Sequence, residues 1–144
     1  MKTTLLLILS VALVACSVKP QPIYYGSDAC HFCKMTIVDN QHAAQVVTVK
    51  GKAYKYDAIE CMMNHLADWD EPAVKLYLVN DYATPGELID AQAGYYLISQ
   101  AIPSPMGAFL TGFADQTHRD QTVATEEDKT LNWNELKHSF GVNP

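Results

Sequence analysis

The sequence predicts an α+β fold, a single domain of two β-β-α-β units behind a lipoprotein signal peptide. Three observations carry that prediction. Residues 43–49 and 53–56 show the alternation of half-buried strands around a Lys50-Gly51-Lys52 turn. The apolar period then changes to three and four at Ile59, Met62, Met63 and Leu66, which marks a helix with one apolar face. Alternation returns over residues 75–79, and a fainter copy of the same order starts near Gly94.

The elements follow in order. Lys2, an apolar run over residues 3–14 and then Leu13-Val14-Ala15-Cys16 resemble a bacterial lipobox. The run is well below the roughly twenty residues that span a bilayer, so residues 1–15 are expected to be a cleaved signal. Cys16 is the expected lipidation site, and several acyl chains on one residue give stable anchoring. Residues 16–27, with two prolines and few aliphatics, read as a membrane tether, and residues 28–144 as the domain, long enough for one core. Residues 36–38 are β-branched and read as a short strand before a turn at Asp39-Asn40. Asp57, with Glu60 three residues on, reads as a capping-box start to a helix reaching about residue 68, and Pro72 closes the unit. In the second half, strands are expected at residues 94–99, 109–114 and 131–133, a short polar helix from Asp115, and a terminal helix from Asn134. Between the units, Pro103 and Pro105 stiffen the loop that presents Met106.

Charge and motif content exclude several classes of function. The net charge is −6 and no basic cluster occurs, which argues against a nucleic-acid partner. Ser104 lacks a nucleophile-elbow pattern, and no glycine-rich phosphate loop is present, so hydrolase and nucleotide chemistry find no support. With Cys16 given to lipid, Cys30, Cys33 and Cys61 remain. Three is odd, so in an oxidising compartment at least one thiol is unpaired or holds metal.

Chemistry concentrates in Cys30-His31-Phe32-Cys33-Lys34-Met35. Residues two apart on an extended segment share a side, so Cys33 and Met35 could hold one soft ion between a thiolate and a thioether. Monovalent copper accepts such an incomplete sulfur set, whereas zinc prefers four ligands. Two other readings stand beside it. Met35 could be a buried strand residue, or Cys30 and Cys33 could be a redox pair, although β-branched residues follow instead of the helix that activates thiols in exchange enzymes. Cys61, Met62 and Met63 read as helix core. His31 reads as a turn residue that could add a nitrogen ligand, and His42, His65, His118 and His138 read as surface residues.

Three segments together, residues 30–35, then Tyr56-Asp57-Ala58-Ile59-Glu60-Cys61-Met62, then Ser104-Pro105-Met106-Gly107, resemble the NosL family of nitrous oxide reductase accessory lipoproteins. The resemblance implies a periplasmic or extracytoplasmic, lipid-anchored copper chaperone rather than an enzyme. Its cargo would be Cu(I), its partners nitrous oxide reductase and an ABC-type transporter, and its ligands Cys33, Met35 and Met106. One departure is visible, Lys34 standing where the family commonly has glycine. The alternative function from the residues alone is a membrane-tethered thiol-disulfide oxidoreductase using Cys30 and Cys33.

Overall fold

A computed structural model describes residues 18–142. The lipobox and Cys16 lie outside those residues. The first unit runs β1 (Ala44–Thr48), β2 (Ala53–Tyr56), α1 (Ile59–Ala67), β3 (Val74–Asp81), followed by β4 (Thr84–Asp90). These strands form one antiparallel sheet in the order β2-β1-β3-β4. The second unit runs β5 (Tyr95–Ile98), β6 (Leu110–Phe113), α2 (Gln116–Thr122), β7 (Lys129–Asn132) and ends on α3 (Trp133–Ser139). Its antiparallel sheet has the order β6-β5-β7. Each unit therefore places its first strand in the middle, flanked by its second and third, so the repeated order of elements is also a repeated topology.

The two units close on each other through small contacts between α1, β3 and β6. Strand β1 is buried throughout, as a central strand covered on both faces is. Ile59, Cys61, Met62, Met63 and Leu66 of α1 are buried in the same core. Gly112 of β6 permits the approach, because a Cβ there would stand 3.2 Å from both Ile59 Cδ1 and Val79 Cγ2. Beside it, the Tyr82 N–H donates to the Gly112 carbonyl at 2.9 Å, and the buried His42 ring reaches Asp39 at 2.9 Å and Thr111 at 3.3 Å. His42 is thus an internal strut between the units, not the surface residue its spacing suggested. At the other end, Trp133 of α3 lies against Tyr77 of β3 and Tyr96 of β5, with ring centroids 5.3 and 6.3 Å away.

Several expectations are corrected locally. The residue preceding α1 is Ala58, with no side-chain cap, while Glu60 turns to a neighbouring loop and the buried Asp57 leaves Oδ1 without a partner. Residues 36–38 contribute only a single bridge, Ala29 to Thr36, instead of a strand. Asn132 rather than Asn134 opens the last helix, accepting from the Glu135 N–H while Glu135 accepts from its own. Asp115 does cap α2, accepting from the His118 N–H. Strand β4 was not anticipated. The segment read as a tether is attached to the domain from Gln21, whose N–H donates to Gln45 Oε1 and whose carbonyl accepts from Gln45 Nε2, both at 2.8 Å. Further on, the Tyr25 hydroxyl meets Asn80.

Candidate metal centre

Residues 24–37 form a hairpin-like loop whose tip carries the Cys-x-x-Cys-x-Met run. The Gly26 N–H donates to the Ile37 carbonyl, the Ile37 N–H to the Asp28 carbonyl and the Cys30 N–H to the Met35 carbonyl, each at 2.8 Å. At the tip the Lys34 N–H returns to the Cys30 carbonyl at 3.0 Å. The loop is pinned to β2, where the Lys55 carbonyl accepts from the His31 N–H at 2.8 Å and the Lys55 ammonium pairs with Asp28 at 2.6 Å.

Lys34 turns the chain back at φ +67°, in the left-handed region. Cys33 and Met35 are therefore carried by a tight turn and not by the extended segment that spacing suggested. The lysine takes the conformation that glycine adopts without strain, at a cost of order 1–2 kcal/mol. Lys34→Gly is expected to raise stability by about 1 kcal/mol, the strain relief exceeding the added freedom of the unfolded chain. A rise in the urea midpoint at unchanged slope would register it.

The thiols of Cys30, Cys33 and Cys61 are free and converge, all three sulfurs lying within 4.8 Å of one another. Cys30 and Cys61 are buried, and Cys33 is half-buried at the rim. Cys61 does pack in the core as its helical position predicts, but α1 also aims its sulfur at the loop. Hydrogen bonding from Cys61, and the N–H groups of Asp57 and Cys33, hold the Cys30 thiol well below the usual thiol range against the opposing effect of burial. Burial and the neighbouring Cys30 charge push Cys33 up, and the hydrogen bond to Cys30 together with burial pushes Cys61 up. The three thiols lie close enough to titrate as a unit. No helix begins at the Cys-x-x-Cys turn.

Both candidate thioethers are in contact with solvent. Met35 is 55% exposed and Met106 42% exposed, so neither is a core residue. Met106 sits at the tip of a turn in which the Gly107 N–H donates to the Ser104 carbonyl and the Phe109 N–H to Ser104 Oγ. Ser104 Oγ in turn donates to Glu60 Oε1, which also accepts from the Ala108 N–H at 3.4 Å. Glu60, next to Cys61 on α1, thereby fixes the Met106 turn to the helix that supplies the third thiol. Glu60→Ala would leave the Ser104 hydroxyl and the Ala108 N–H without their buried acceptor. It is expected to lower stability by about 1–3 kcal/mol, with Glu60→Gln, which keeps Oε1, losing less in the same urea titration.

An aromatic and histidine cluster borders the thiols. The His31 ring lies 4.6 Å from Tyr54 and 4.9 Å from His65, and His65 contacts Trp69 at 5.0 Å. The Tyr56 hydroxyl and His65 Nδ1 share a hydrogen bond of 2.7 Å. Burial, and for His31 the adjacent His65, lower both imidazole pKa values, which keeps the rings neutral near pH 7. His65 is therefore a packed residue rather than a surface one. Sequence spacing could not pair it with His31, since one lies on the loop and the other on α1.

Comparison with known proteins adds a lineage to this geometry. A sequence model of the NosL family matches residues 24–140. The copper-binding lipoprotein NosL of Stutzerimonas stutzeri is 26% identical over 156 aligned residues, covering 96% of this chain and 80% of the relative. Among solved structures, the copper chaperone NosL from Shewanella denitrificans superposes with a TM-score of 0.73 at 17% identity, covering 85% of this chain and 98% of the other. That likeness shows the shared fold.

Proposed function

The chain belongs to the NosL family, and from that premise we propose that it is a membrane-anchored, extracytoplasmic chaperone that carries monovalent copper for assembly of the copper centres of nitrous oxide reductase. The observation that supports this reading most is the pairing, on one loop tip, of a half-buried thiol at Cys33 with a thioether at Met35 that packing does not use. Thiolate and thioether are soft donors, matched to monovalent copper and poorly matched to magnesium, calcium or manganese. Met106, on the turn secured by Glu60, is the proposed third ligand.

The mechanism is ligand exchange. Copper is cargo, held by Cys33, Met35 and Met106 in a set that leaves a coordination position open to a recipient's ligands. A recipient sulfur or imidazole binds the ion before Cys33 lets go, so copper passes without being released into solvent. The rigid backbone of both loops keeps the donors in place while the ion leaves, which limits reorganisation. The anchor is proposed from the lipobox, Leu13-Val14-Ala15-Cys16. An ABC-type transporter and the reductase are the proposed partners.

The experiment is the copper content of nitrous oxide reductase isolated from the host carrying Cys33→Ala in this chain. The expected result is a reductase produced in normal amount but deficient in copper. A fully loaded reductase from that strain would contradict the proposed delivery role.

A further inference from the structure

Beneath the exposed donors, Cys30, Cys33 and Cys61 have a geometry suited to a metal ion in their own right. A metal–thiolate bond of about 2.3 Å sets the three ligands of a trigonal plane about 4 Å apart. The sulfurs, within 4.8 Å of one another, are close to that spacing before any ion enters. Two independent elements bring them together: the loop tip, closed by the Cys30 N–H to Met35 carbonyl bond, and α1, which begins at Ile59. The buried Asp57, whose N–H points at the Cys30 sulfur, has a partnerless Oδ1.

We infer that Cys30, Cys33 and Cys61 form a buried three-sulfur holding site for one monovalent soft-metal ion, which exchanges with the exposed Cys33, Met35 and Met106 set through the shared Cys33. The inference rests on the copper reading and deepens it by giving the cargo two positions. Three sulfurs without a fourth ligand suit monovalent copper better than zinc, which completes a tetrahedron. Entry of the ion replaces the protons that the cluster's thiols still hold, and these leave to solvent, with no change in oxidation state. In the inner position the ion is shielded from solvent by the buried Cys30 and Cys61. In the outer position, Cys33 keeps its bond while Met35 and Met106 replace Cys30 and Cys61, which take protons back from solvent, and the weaker thioether ligands make the ion available to a recipient.

The test is anaerobic titration of the reduced full chain in detergent with monovalent copper against a competing chelator. It compares wild type, Met35→Leu/Met106→Leu, Cys30→Ser and Cys61→Ser, with copper X-ray absorption on the wild type and the double-methionine variant. The double-methionine variant is expected to retain one ion within about tenfold of the wild-type affinity, roughly 1.4 kcal/mol, and its absorption spectrum to show three short sulfur bonds. Cys30→Ser and Cys61→Ser are each expected to lose affinity by more than that factor. Loss of copper by the double-methionine variant, with wild-type affinity in Cys61→Ser, would overturn the inner site and leave the copper reading standing. No copper on the wild type would instead remove the copper reading itself. Should Cys61→Ser fail to fold, the double-methionine variant decides alone: retention with three short sulfur bonds supports the inner site, and any other result overturns it.

Discussion

Cys33→Ala is expected to lower the affinity for monovalent copper by well over the roughly 10–100-fold that loss of an outer partner of a metal site costs. Cys33 is the one donor common to both sulfur sets. Removing it leaves two thioethers outside, which are neutral and weak, and inside it takes away one of three thiolates and the donor that links the two sets. The fold should survive, because Cys33 is half-buried at a rim and its removal opens no enclosed cavity. The check is a chelator competition on the reduced variant beside a urea titration. Affinity within tenfold of wild type would mean that the ion is held elsewhere.

Ile59→Ala is expected to destabilise the chain by about 2–5 kcal/mol, the range for truncating a fully buried aliphatic. That is a large share of the roughly 5–15 kcal/mol that holds a domain folded. Ile59 opens α1, is completely buried, and its terminal methyl faces Gly112 of the second sheet, which Val79 of the first sheet also approaches. The cavity would therefore open at the joint between the two units, where a central strand and a glycine-lined surface limit how far neighbours can relax. Ile59→Val should cost only about 0.5–1.5 kcal/mol. Urea midpoints of the three proteins, compared at equal slope, measure both values, and a loss below 1 kcal/mol for Ile59→Ala would show that the units do not depend on this contact.

The elements that bury one clean face were legible in the sequence. Helix α1 announces itself through Ile59, Met62, Met63 and Leu66, and the strands on either side through alternation, so the β-β-α-β order is legible in the sequence. Strand β4 was hidden because Thr84-Pro85-Gly86 has the composition of a turn. Its place at a sheet edge is what tolerates the proline. Asp57 and Glu60 fit a capping box by spacing, yet Glu60 is drawn away by Ser104, a partner 44 residues distant that local pattern does not disclose.

The loop of the candidate site was legible as chemistry and misread as geometry. Cys33 and Met35 were singled out by their donor types, but the period-two argument assumed an extended chain, and Lys34 in the left-handed region breaks it. Cys61, Met62 and Met63 read as core from their place on a helix with an apolar face. That local argument holds, and it says nothing of which distant sulfurs the Cys61 side meets. The odd number of thiols left after Cys16 was the available signal that Cys61 had partners to find. His42 and His65 were missed for the same reason, each being held by a residue from another element.

The most direct measurement is the number of monovalent copper ions that the reduced wild-type chain holds, without oxygen, against a chelator that strips adventitious copper. The account predicts one ion per chain, bound through sulfur. No ion retained, or copper bound through nitrogen and oxygen alone, would contradict it.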